Sequence, residues 1–409
     1  MNKSTNSELN NERSVLSYLI IADDLTGSCD AGLQMRRLGL PTRVQITTAC
    51  ALDPRIETLV LDTESRNVEE KEAISLVRLA LASIDPKRVG RVIKKIDSTL
   101  RGNVVAEVLE VAARFEAETI VVAPSFPDQG RTVKEGMLYV HGMPLLKTEI
   151  GKDPIKAVTE GNLVTLFAGQ KTYEVQSFDA KTETKGRHLY VCDATTDEDL
   201  RAIARHFASR DVRTLFVGSA GIAEALVSLR WEQKSALAVV ASLSERTHIQ
   251  VLELKKRSIP IIGVKVDDIL LHKDLSAYLQ SALGHLKSGR DVVLCTSSVL
   301  EPRSYQSEHT GLSESQIAWR IKTTLSTLTK QILDQVDLSG LFLTGGDMAN
   351  GVLGELDVRE VELEREVLQG IPLMKVVGSR YDGLRVITKA GAFGGDDAIA
   401  YALRVLKER

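Results

Sequence analysis

Cysteine and aromatic residues are both scarce in this sequence. The four cysteines stand far apart and form no Cys-x-x-Cys pair, which argues against a disulfide framework or a structural zinc site. Aromatic residues make up 4% of the chain, so a large aromatic binding platform is not expected. These absences leave local polar groups as the means of holding a ligand.

The sequence also lacks a strong charge bias and a long apolar run. The formal net charge is −3, which argues against a surface that coats nucleic acid. No apolar run reaches the roughly 18 residues that a membrane helix needs, and no secretory signal is present. We therefore expect a cytoplasmic protein with neither a membrane nor a nucleic acid as its partner.

What is present is the pattern of a soluble α/β protein. The 409 residues are 43% apolar and 26% charged, and this length favours two domains. Short β-branched runs alternate with amphipathic segments, which predicts mostly parallel sheets flanked by helices. The pattern breaks over residues 130–186, where we expect a β-rich excursion, and restarts near residue 233. We predict a loose tail (1–17), two α/β domains (18–232 and 233–409), and an active site in the cleft between them.

The apolar runs place twelve strands and four clear helices. The predicted strands are 18–22, 42–45, 58–62, 92–96, 119–123, 188–192, 214–217, 237–241, 261–266, 291–296, 340–344 and 385–388. The predicted helices are 68–83, 103–115, 197–208 and 220–229. Ligands of parallel sheets collect where the strands end, so the loops after these strands are the candidate sites.

Two adjacent aspartates, Asp23 and Asp24, follow the first predicted strand. Carboxylates at a strand end suit the recognition of hydroxyl groups or a general base, and each raises the pKa of its neighbour. The alternative is that Asp24 and Thr26 only cap the next helix.

A denser polar cluster follows the strand at 92–96. Lys95 and Arg101 could pair with a substrate carboxylate, since a guanidinium matches a planar anion. Asp97 could bind hydroxyls or orient Lys95. The alternative is a surface loop in which Ser98 or Thr99 caps a helix.

Two further loops add donors to this half of the chain. Ser65 and Arg66 follow the strand at 58–62, and Gln129 and Arg131 follow the strand at 119–123, around a turn at Gly130. Loops after strands of one sheet can converge on one cleft. Together these loops favour a small ligand that carries hydroxyls and a carboxylate.

The second half carries turns suited to phosphate. Ser242 precedes a helix start, where free N–H groups attract anions, although Ser244 with Thr247 could instead form an ordinary cap. Gly345 and Gly346, followed by Asp347, let the backbone approach a phosphate or a nucleotide base. This is neither a G-x-G-x-x-G motif nor a P-loop.

The last predicted strand is followed by a third turn of this kind. Its glycines, from Gly391 to Gly395, can form a nest of N–H groups, with Lys389 as a point charge on phosphate. Such a nest would neutralise a transferring phosphoryl group. Three phosphate-compatible turns beside a hydroxyl-binding domain indicate phosphoryl transfer.

Six segments together resemble the four-carbon acid sugar kinase family. They are I-A-D-D-L-T-G, K-K-I-D-S-T-L-R-G-N, A-P-S-F-P-D-Q-G-R-T, V-G-S-A-G-I-A, L-T-G-G-D and T-K-A-G-A-F-G, in order over residues 18–403. The resemblance implies an N-terminal substrate-binding domain and a C-terminal nucleotide-binding domain. It also implies ATP-dependent phosphorylation of D-threonate or D-erythronate at the 4-hydroxyl, with Mg²⁺ on the phosphates and protein ligands to the metal unknown.

The resemblance also implies which residues line each site. The acid-sugar site would contain Asp23, Asp24, Ser65, Arg66, Lys95, Asp97, Arg101, Gln129 and Arg131. The ATP site would contain Ser242, Gly345, Gly346, Asp347 and Gly391. Among the aspartates, Asp24 is the first choice for orienting or deprotonating the hydroxyl, with Asp23 beside it. A homodimer is one expected assembly.

Three positions depart from the family pattern. Ala241 stands where many members have glycine, and Met348 and Ala349 stand where many have Thr-Ser, which removes two hydroxyls. The K-A-G-A-F-G form is more similar to threonate and erythronate kinases than to 3-oxo-tetronate kinases. The alternatives are a 3-oxo-tetronate or other small sugar-acid kinase, a hydroxy-acid dehydrogenase, or a sensor without enzymatic activity.

Overall fold

The structure, a computed structural model, describes residues 16–46, 55–152, 158–180, 186–210, 213–231, 234–300 and 311–409. The chain divides into two units, residues 1–232 together with Arg409, and residues 233–408. Of the predicted loose tail, residues 1–15 lie outside the described residues. Residues 16 and 17 are a correction, because they belong to the first strand.

The first unit contains eleven of the described strands and six of the described helices. The strands are Leu16–Ala22 (β1), Thr42–Gln45 (β2), Thr58–Asp62 (β3), Val89–Lys95 (β4), Thr119–Ala123 (β5), Arg131–Lys134 (β6), Met137–Val140 (β7), Met143–Pro144 (β8), Glu174–Ser177 (β9), His188–Val191 (β10) and Thr214–Gly218 (β11). The helices are Leu25–Arg37 (α1), Glu70–Leu81 (α2), Val104–Arg114 (α3), Leu163–Phe167 (α4), Asp197–Ala208 (α5) and Ala220–Ser228 (α6).

Eight of these strands form one parallel sheet in the order β2-β3-β1-β4-β11-β5-β10-β9. The remaining three form a small antiparallel sheet, β6-β7-β8, within the segment predicted as a β-rich excursion. Strands β1 and β4 both begin earlier than predicted because Leu16 pairs with Val89 and is buried.

Both faces of the large sheet are covered. Along β1, Leu19 and Ile21 belong to one buried apolar cluster, whereas Tyr18 and Ile20 belong to the other. Side chains alternate between the two faces of a strand, so a continuous apolar run is what a doubly covered parallel strand requires.

The second unit repeats this architecture with an added hairpin. Its strands are Ala236–Val240 (β12), Ile261–Val264 (β13), Val292–Thr296 (β14), Gly340–Thr344 (β15), Glu360–Leu368 (β16), Ile371–Val377 (β17) and Arg385–Lys389 (β18). Its helices are Glu245–Lys256 (α7), Val266–Leu270 (α8), Ser276–Lys287 (α9), Ser297–Leu300 (α10), Glu314–Leu333 (α11), Gly346–Glu355 (α12) and Ala398–Val405 (α13).

The sheet order in this unit is β13-β14-β12-β15-β18-β17-β16. The pairings of β17 with β18 and with β16 are antiparallel, and the other pairings are parallel. The predicted α/β class with mostly parallel sheets is therefore confirmed. None of the described helices combines the length and the apolar character needed to cross a lipid bilayer.

Candidate functional site

The ends of five parallel strands lie in one row in the first unit. Ala22 at the end of β1 pairs with Asp62 of β3 and with Lys95 of β4. Gly218 of β11 pairs in turn with Lys95 and with Ala123 of β5. The loops that follow β1, β3 and β4 therefore leave the sheet side by side. The loop after β5 leaves the same edge two strands farther along, because β11 lies between β4 and β5.

The guanidinium of Arg66 binds both adjacent aspartates. It donates to Asp23 through Nε and Nη2, at 2.9 and 2.8 Å, and to Asp24 through Nη1 and Nη2, at 2.7 and 2.6 Å. Burial opposes the charge on Arg66, but the hydrogen bonds to Asp23 and the neighbouring carboxylates raise its pKa. The cation offsets the repulsion between the two carboxylates, so the folded chain holds them side by side.

Asp24 also caps α1, as the alternative interpretation predicted, whereas Thr26 lies inside the helix and is not a cap. Its Oδ1 accepts a hydrogen bond from the N–H of Gly27 at 2.9 Å. A Cβ on Gly27 would lie 2.5 Å from this oxygen and 2.8 Å from the Nζ of Lys95. The cap and the predicted site are therefore one structure, and Gly27 is the close neighbour that the sequence interpretation overlooked.

Lys95 is buried beside these carboxylates. Its Nζ donates to the carbonyl of Ile96 at 3.0 Å. Burial lowers its pKa, whereas the carboxylates of Asp23, Asp30 and Asp97 act in the opposite direction. Lys95 therefore contributes positive charge to the cluster from a buried position.

Asp97 is bound by donors of its own loop. Arg101 donates to it through Nε at 2.8 Å and through Nη2 at 3.1 Å, and the Thr99 hydroxyl donates to Oδ2. Burial would raise the pKa of Asp97, but these hydrogen bonds and the charge of Arg66 outweigh it and lower the pKa to about 2. The alternative that Ser98 or Thr99 caps a helix is wrong, because α3 begins only at Val104.

Ser65 lies in a buried network that the sequence interpretation missed. Its hydroxyl donates to Glu107 at 2.8 Å, and Glu107 forms an ion pair of 2.9 Å with Lys94. The Thr63 hydroxyl lies 2.7 Å from the hydroxyl of Ser65 and donates to the carbonyl of Ala22. All of these side chains are buried, so the Ser65 hydroxyl supports the loop that carries Arg66. Glu107 resembles any polar residue on an amphipathic helix, which is why no local pattern identifies it.

Asp62 is a further carboxyl at this edge that the sequence interpretation did not select. Its Oδ1 accepts from the N–H of Glu64 at 3.2 Å, while its buried Oδ2 has no partner among the described residues. Burial raises the pKa of Asp62 to about 6, and the charge of Asp24 contributes in the same direction.

Gln129 and Arg131 occupy a turn stabilised by His141. Gly130 has φ +68°, and a Cβ there would lie 2.3 Å from Nδ1 of His141. The Arg131 guanidinium donates to the carbonyl of Gln129 and lies 3.4 Å from Nε2 of His141. Their hydrogen bonds shape the turn itself, and a role on the substrate stays a prediction.

The predicted nucleotide-site residues follow adjacent strands of the second sheet. Val240 pairs with Thr344, and Thr344 pairs with Lys389, so the ends of β12, β15 and β18 are neighbours. A Cβ on Gly391 would lie 2.4 Å from the hydroxyl of Ser242, which brings the first and third turns together. Ser244 is the cap of α7, as the alternative for this turn predicted.

The glycine pair opens onto free space. Gly345 has φ +87°, and its N–H donates to the carbonyl of Lys389 at 2.8 Å. A Cβ on Gly345 or Gly346 would meet no atom within 4 Å.

Gly346 and Asp347 are exposed, whereas Met348 and Ala349 pack in the core. The two hydroxyls missing from the family pattern therefore stand at core-facing positions.

Lys389 does not extend into solvent. It is 2% exposed, and its ammonium donates to three backbone carbonyls of the following turn. Burial and the charge of Arg246 lower its pKa to about 8. The sequence predicted a direct contact with phosphate, but the structure places this ammonium inside the turn.

Two family models match the chain. A sugar-binding N-terminal domain matches residues 18–226, and a nucleotide-binding C-terminal domain matches residues 237–399. The matched ranges contain the carboxylate cluster and the glycine turns respectively.

Curated relatives match along nearly the whole chain. A D-threonate kinase of Salmonella typhimurium is 33% identical, covering 96% of this chain and 99% of its own. A D-threonate kinase of Bordetella bronchiseptica is 31% identical over 95% and 97% of the two chains. A D-erythronate kinase of Heliobacterium modesticaldum is 26% identical over 93% and 95%.

A solved structure has the same fold. It is a domain of unknown function from Bordetella bronchiseptica with bound citrate, described as a domain-swapped dimer, with a TM-score of 0.55 and 28% identity. The match covers 96% of this chain and 99% of that one. Together with the paired domain models and the curated relatives, this likeness shows that the chain belongs to the four-carbon acid sugar kinase family.

Proposed function

We propose that this protein is an ATP-dependent kinase that phosphorylates the 4-hydroxyl of a four-carbon sugar acid, either D-threonate or D-erythronate. The observation that carries the proposal is the cluster in which one guanidinium, Arg66, holds the carboxylates of Asp23 and Asp24 side by side. Two adjacent acceptors suit neighbouring hydroxyl groups of a sugar acid. Family membership supports the choice, because two relatives described above are D-threonate kinases and one is a D-erythronate kinase.

Asp24 is the better candidate to meet the reacting hydroxyl. Its side chain is 21% exposed, against 4% for Asp23. Arg66 holds this carboxylate in place through two hydrogen bonds. Phosphoryl transfer depends mainly on positioning and charge stabilisation, so we assign Asp24 chiefly to orienting the 4-hydroxyl.

Arg101 is the candidate for the substrate carboxylate. Its side chain is 39% exposed although it also pairs with Asp97, and a guanidinium can bind two carboxylates through different N–H groups. Asp97 then fixes the orientation of Arg101, while buried Lys95 adds positive charge. Gln129 and Arg131 are proposed to bind the rest of the sugar acid.

The nucleotide is assigned to the second unit. Its phosphates would lie on Gly345, Gly346 and the turn at 391–395, beside Ser242. The described residues contain no group of three or more His, Cys, Asp or Glu arranged for a metal ion. Mg²⁺ in kinases commonly uses one or two carboxylates besides phosphate and water, and exposed Asp347 is the candidate ligand. When bound, Mg²⁺ would neutralise charge on the β- and γ-phosphates. A cytoplasmic location and a homodimer stay proposals.

A panel of tetronic acids tests the substrate class. Purified protein with ATP and Mg²⁺ should release ADP with D-threonate or D-erythronate, and mass spectrometry with phosphorus NMR should place the phosphate on carbon 4. The L-isomers, 3-oxo-tetronate and the three-carbon acid D-glycerate complete the panel, and a reaction without acid is the background.

Each result of the panel decides between the candidates. Turnover of 3-oxo-tetronate alone would favour that alternative kinase activity. The absence of acid-dependent ADP release with every four-carbon acid would contradict the kinase proposal. It would favour the alternative of a sensor without enzymatic activity.

A further inference from the structure

The turn at residues 390–395 is bound from inside by a buried ammonium. The Nζ of Lys389 donates to the carbonyls of Ala390, Gly391 and Phe393, at 3.1, 2.9 and 3.3 Å. No carboxylate of the described chain lies within salt-bridge distance of this group. Lys389 is therefore a buried positive charge whose compensation comes from carbonyl dipoles.

Helix α7 binds the same turn from a second direction. The hydroxyls of Ser244 and Thr247 donate to the carbonyl of Gly391 at 2.8 and 3.1 Å. The side-chain amide of Gln250 donates to three further carbonyls, at 3.1, 3.4 and 2.7 Å, those of Phe393, Gly394 and Gly395. Residues three positions apart share one helix face, so a single edge of α7 carries all these donors.

Thr247 and Gln250 do not reach a ligand themselves. Both are fully buried. The orientation of Gln250 that serves the carbonyls leaves its Oε1 without a partner among the described residues. An amide that leaves its own acceptor unsatisfied is held in place by what its donors bind.

The inward direction of the carbonyls determines which backbone groups of the turn face outward. In a trans peptide the carbonyl and the next N–H point in opposite directions. Inward carbonyls therefore direct outward the N–H groups of residues 391, 392, 394 and 395. Gly394, with φ +80°, gives the chain the left-handed step that such a nest of N–H groups needs. Outward N–H groups over a buried cation favour an anion.

We propose that Thr247 and Gln250 are positioning residues that hold the turn at 390–395 as a phosphate-binding loop, with Lys389 as its buried positive charge. The inference rests on the proposed kinase function, because the anion is taken to be the phosphate chain of ATP. Thr247 and Gln250 act through the backbone of the loop and not by contact with the nucleotide.

The experiment compares matched threonines of the full chain. Thr247→Val removes one loop-binding hydroxyl, and Thr247→Ser keeps it. Thr329→Val is the control, because Thr329 is equally buried in the same unit but donates to Leu325 of its own helix at 2.7 Å. Calorimetry measures Kd for ADP and for inorganic tripolyphosphate, and kinetics measure KM for ATP and for the sugar acid.

Thr247→Val should raise both Kd values and the KM for ATP by about fivefold, which corresponds to the loss of one hydrogen bond that contributes about 1 kcal/mol. The KM for the sugar acid should not change. Thr247→Ser and Thr329→Val should bind like the parent protein. Gln250→Met, which removes donors to three carbonyls, should raise both Kd values by at least about tenfold.

The outcomes separate this inference from the proposed activity. Unchanged binding by Thr247→Val, or an equal loss in Thr329→Val or Thr247→Ser, overturns the positioning role. Failure of the parent protein to bind either ADP or tripolyphosphate also overturns it. Tripolyphosphate binding with the expected pattern, but no turnover of any tetronate, upholds the loop and overturns the kinase proposal.

Discussion

At the scale of single residues, the adjacent aspartates are stabilised by a third side chain, which comes from the loop after another strand. Arg66 follows β3, and its planar guanidinium reaches both Asp23 and Asp24 with near-ideal distances. Repulsion between the carboxylates is thereby offset, and their geometry is held before any ligand arrives. Pre-organised acceptors of this kind cost little entropy on binding.

Gly27→Ala should disturb this geometry without touching the substrate. The added Cβ would lie 2.5 Å from Asp24 Oδ1 and 2.8 Å from Lys95 Nζ, so both charged groups must move. We expect kcat/KM for the sugar acid to fall at least about tenfold, which corresponds to about 1.4 kcal/mol of transition-state binding. The Kd for ADP should stay the same, since the glycine turns lie in the other unit.

The control for this variant is Gly284→Ala. Gly284 lies in the exposed part of α9, where a Cβ would meet no atom within 4 Å. Alanine should stabilise that helix by about 1 kcal/mol and leave kinetics unchanged. Unaltered kcat/KM in Gly27→Ala would show that the close approach of Asp24 and Lys95 is unimportant.

At the scale of elements, a buried ion pair joins strand β4 to helix α3. Lys94 is fully buried and Glu107 is 1% exposed. The pair also binds the hydroxyl of Ser65, so it connects these two elements to the loop after β3. Removing one member would leave the other charged and buried, which is far more costly than losing an exposed pair.

Glu107→Gln should therefore destabilise the first unit by about 3 kcal/mol and lower kcat/KM for the sugar acid. Urea unfolding followed by Trp231 fluorescence reports this unit once exposed Trp319, the second tryptophan, is replaced by phenylalanine. The control is Glu110→Gln on the same helix, whose partner Arg78 is exposed, and little change is expected.

A double variant separates stability from positioning. Lys94→Met with Glu107→Leu replaces the pair by apolar side chains and should recover stability. The double variant cannot bind the Ser65 hydroxyl, so its kcat/KM for the sugar acid should remain low. Normal kcat/KM in either variant would exclude a positioning role for the pair.

Most elements of the parallel sheets were predictable from local sequence patterns alone. β3, β5 and β15 have the predicted bounds, because apolar β-branched runs between turns have few other structures available. β16 was missed: its residues, E-V-E-L-E-R-E-V-L, are mostly exposed at a sheet edge, and charged edge strands lack the apolar signal.

At the scale of the whole molecule, two carboxyl groups affect stability in opposite directions with pH. The pKa of Asp62 is raised from 3.8 to about 6, so the folded state binds an extra proton between these values. The contribution of Asp62 to stability must then fall as pH rises from about 4 to about 6. The pKa of Asp97 is lowered to about 2, so its contribution is present above about pH 4 and is lost as pH falls toward 2.

Asp62→Asn should remove the first of these effects. The stability of the first unit relative to the parent, again measured by Trp231 fluorescence, should rise between pH 4 and pH 6. The difference from the parent should reach about 3 kcal/mol, since one pKa unit corresponds to about 1.4 kcal/mol. Below pH 4 the two curves should run parallel. Parallel curves over the whole range would show that Asp62 has an ordinary pKa.

Three features could be predicted from the sequence: the class of the fold, the edge of each sheet that carries the polar loops, and the family. These follow from local patterns, because strand periodicity, glycine turns and short motifs involve neighbours along the chain. Three other features depend on how the chain packs: Arg66 binds both aspartates, Glu107 supports Ser65, and Lys389 faces inward. Each of these contacts joins residues that the fold brings together or depends on which way a side chain turns, and the local sequence encodes neither.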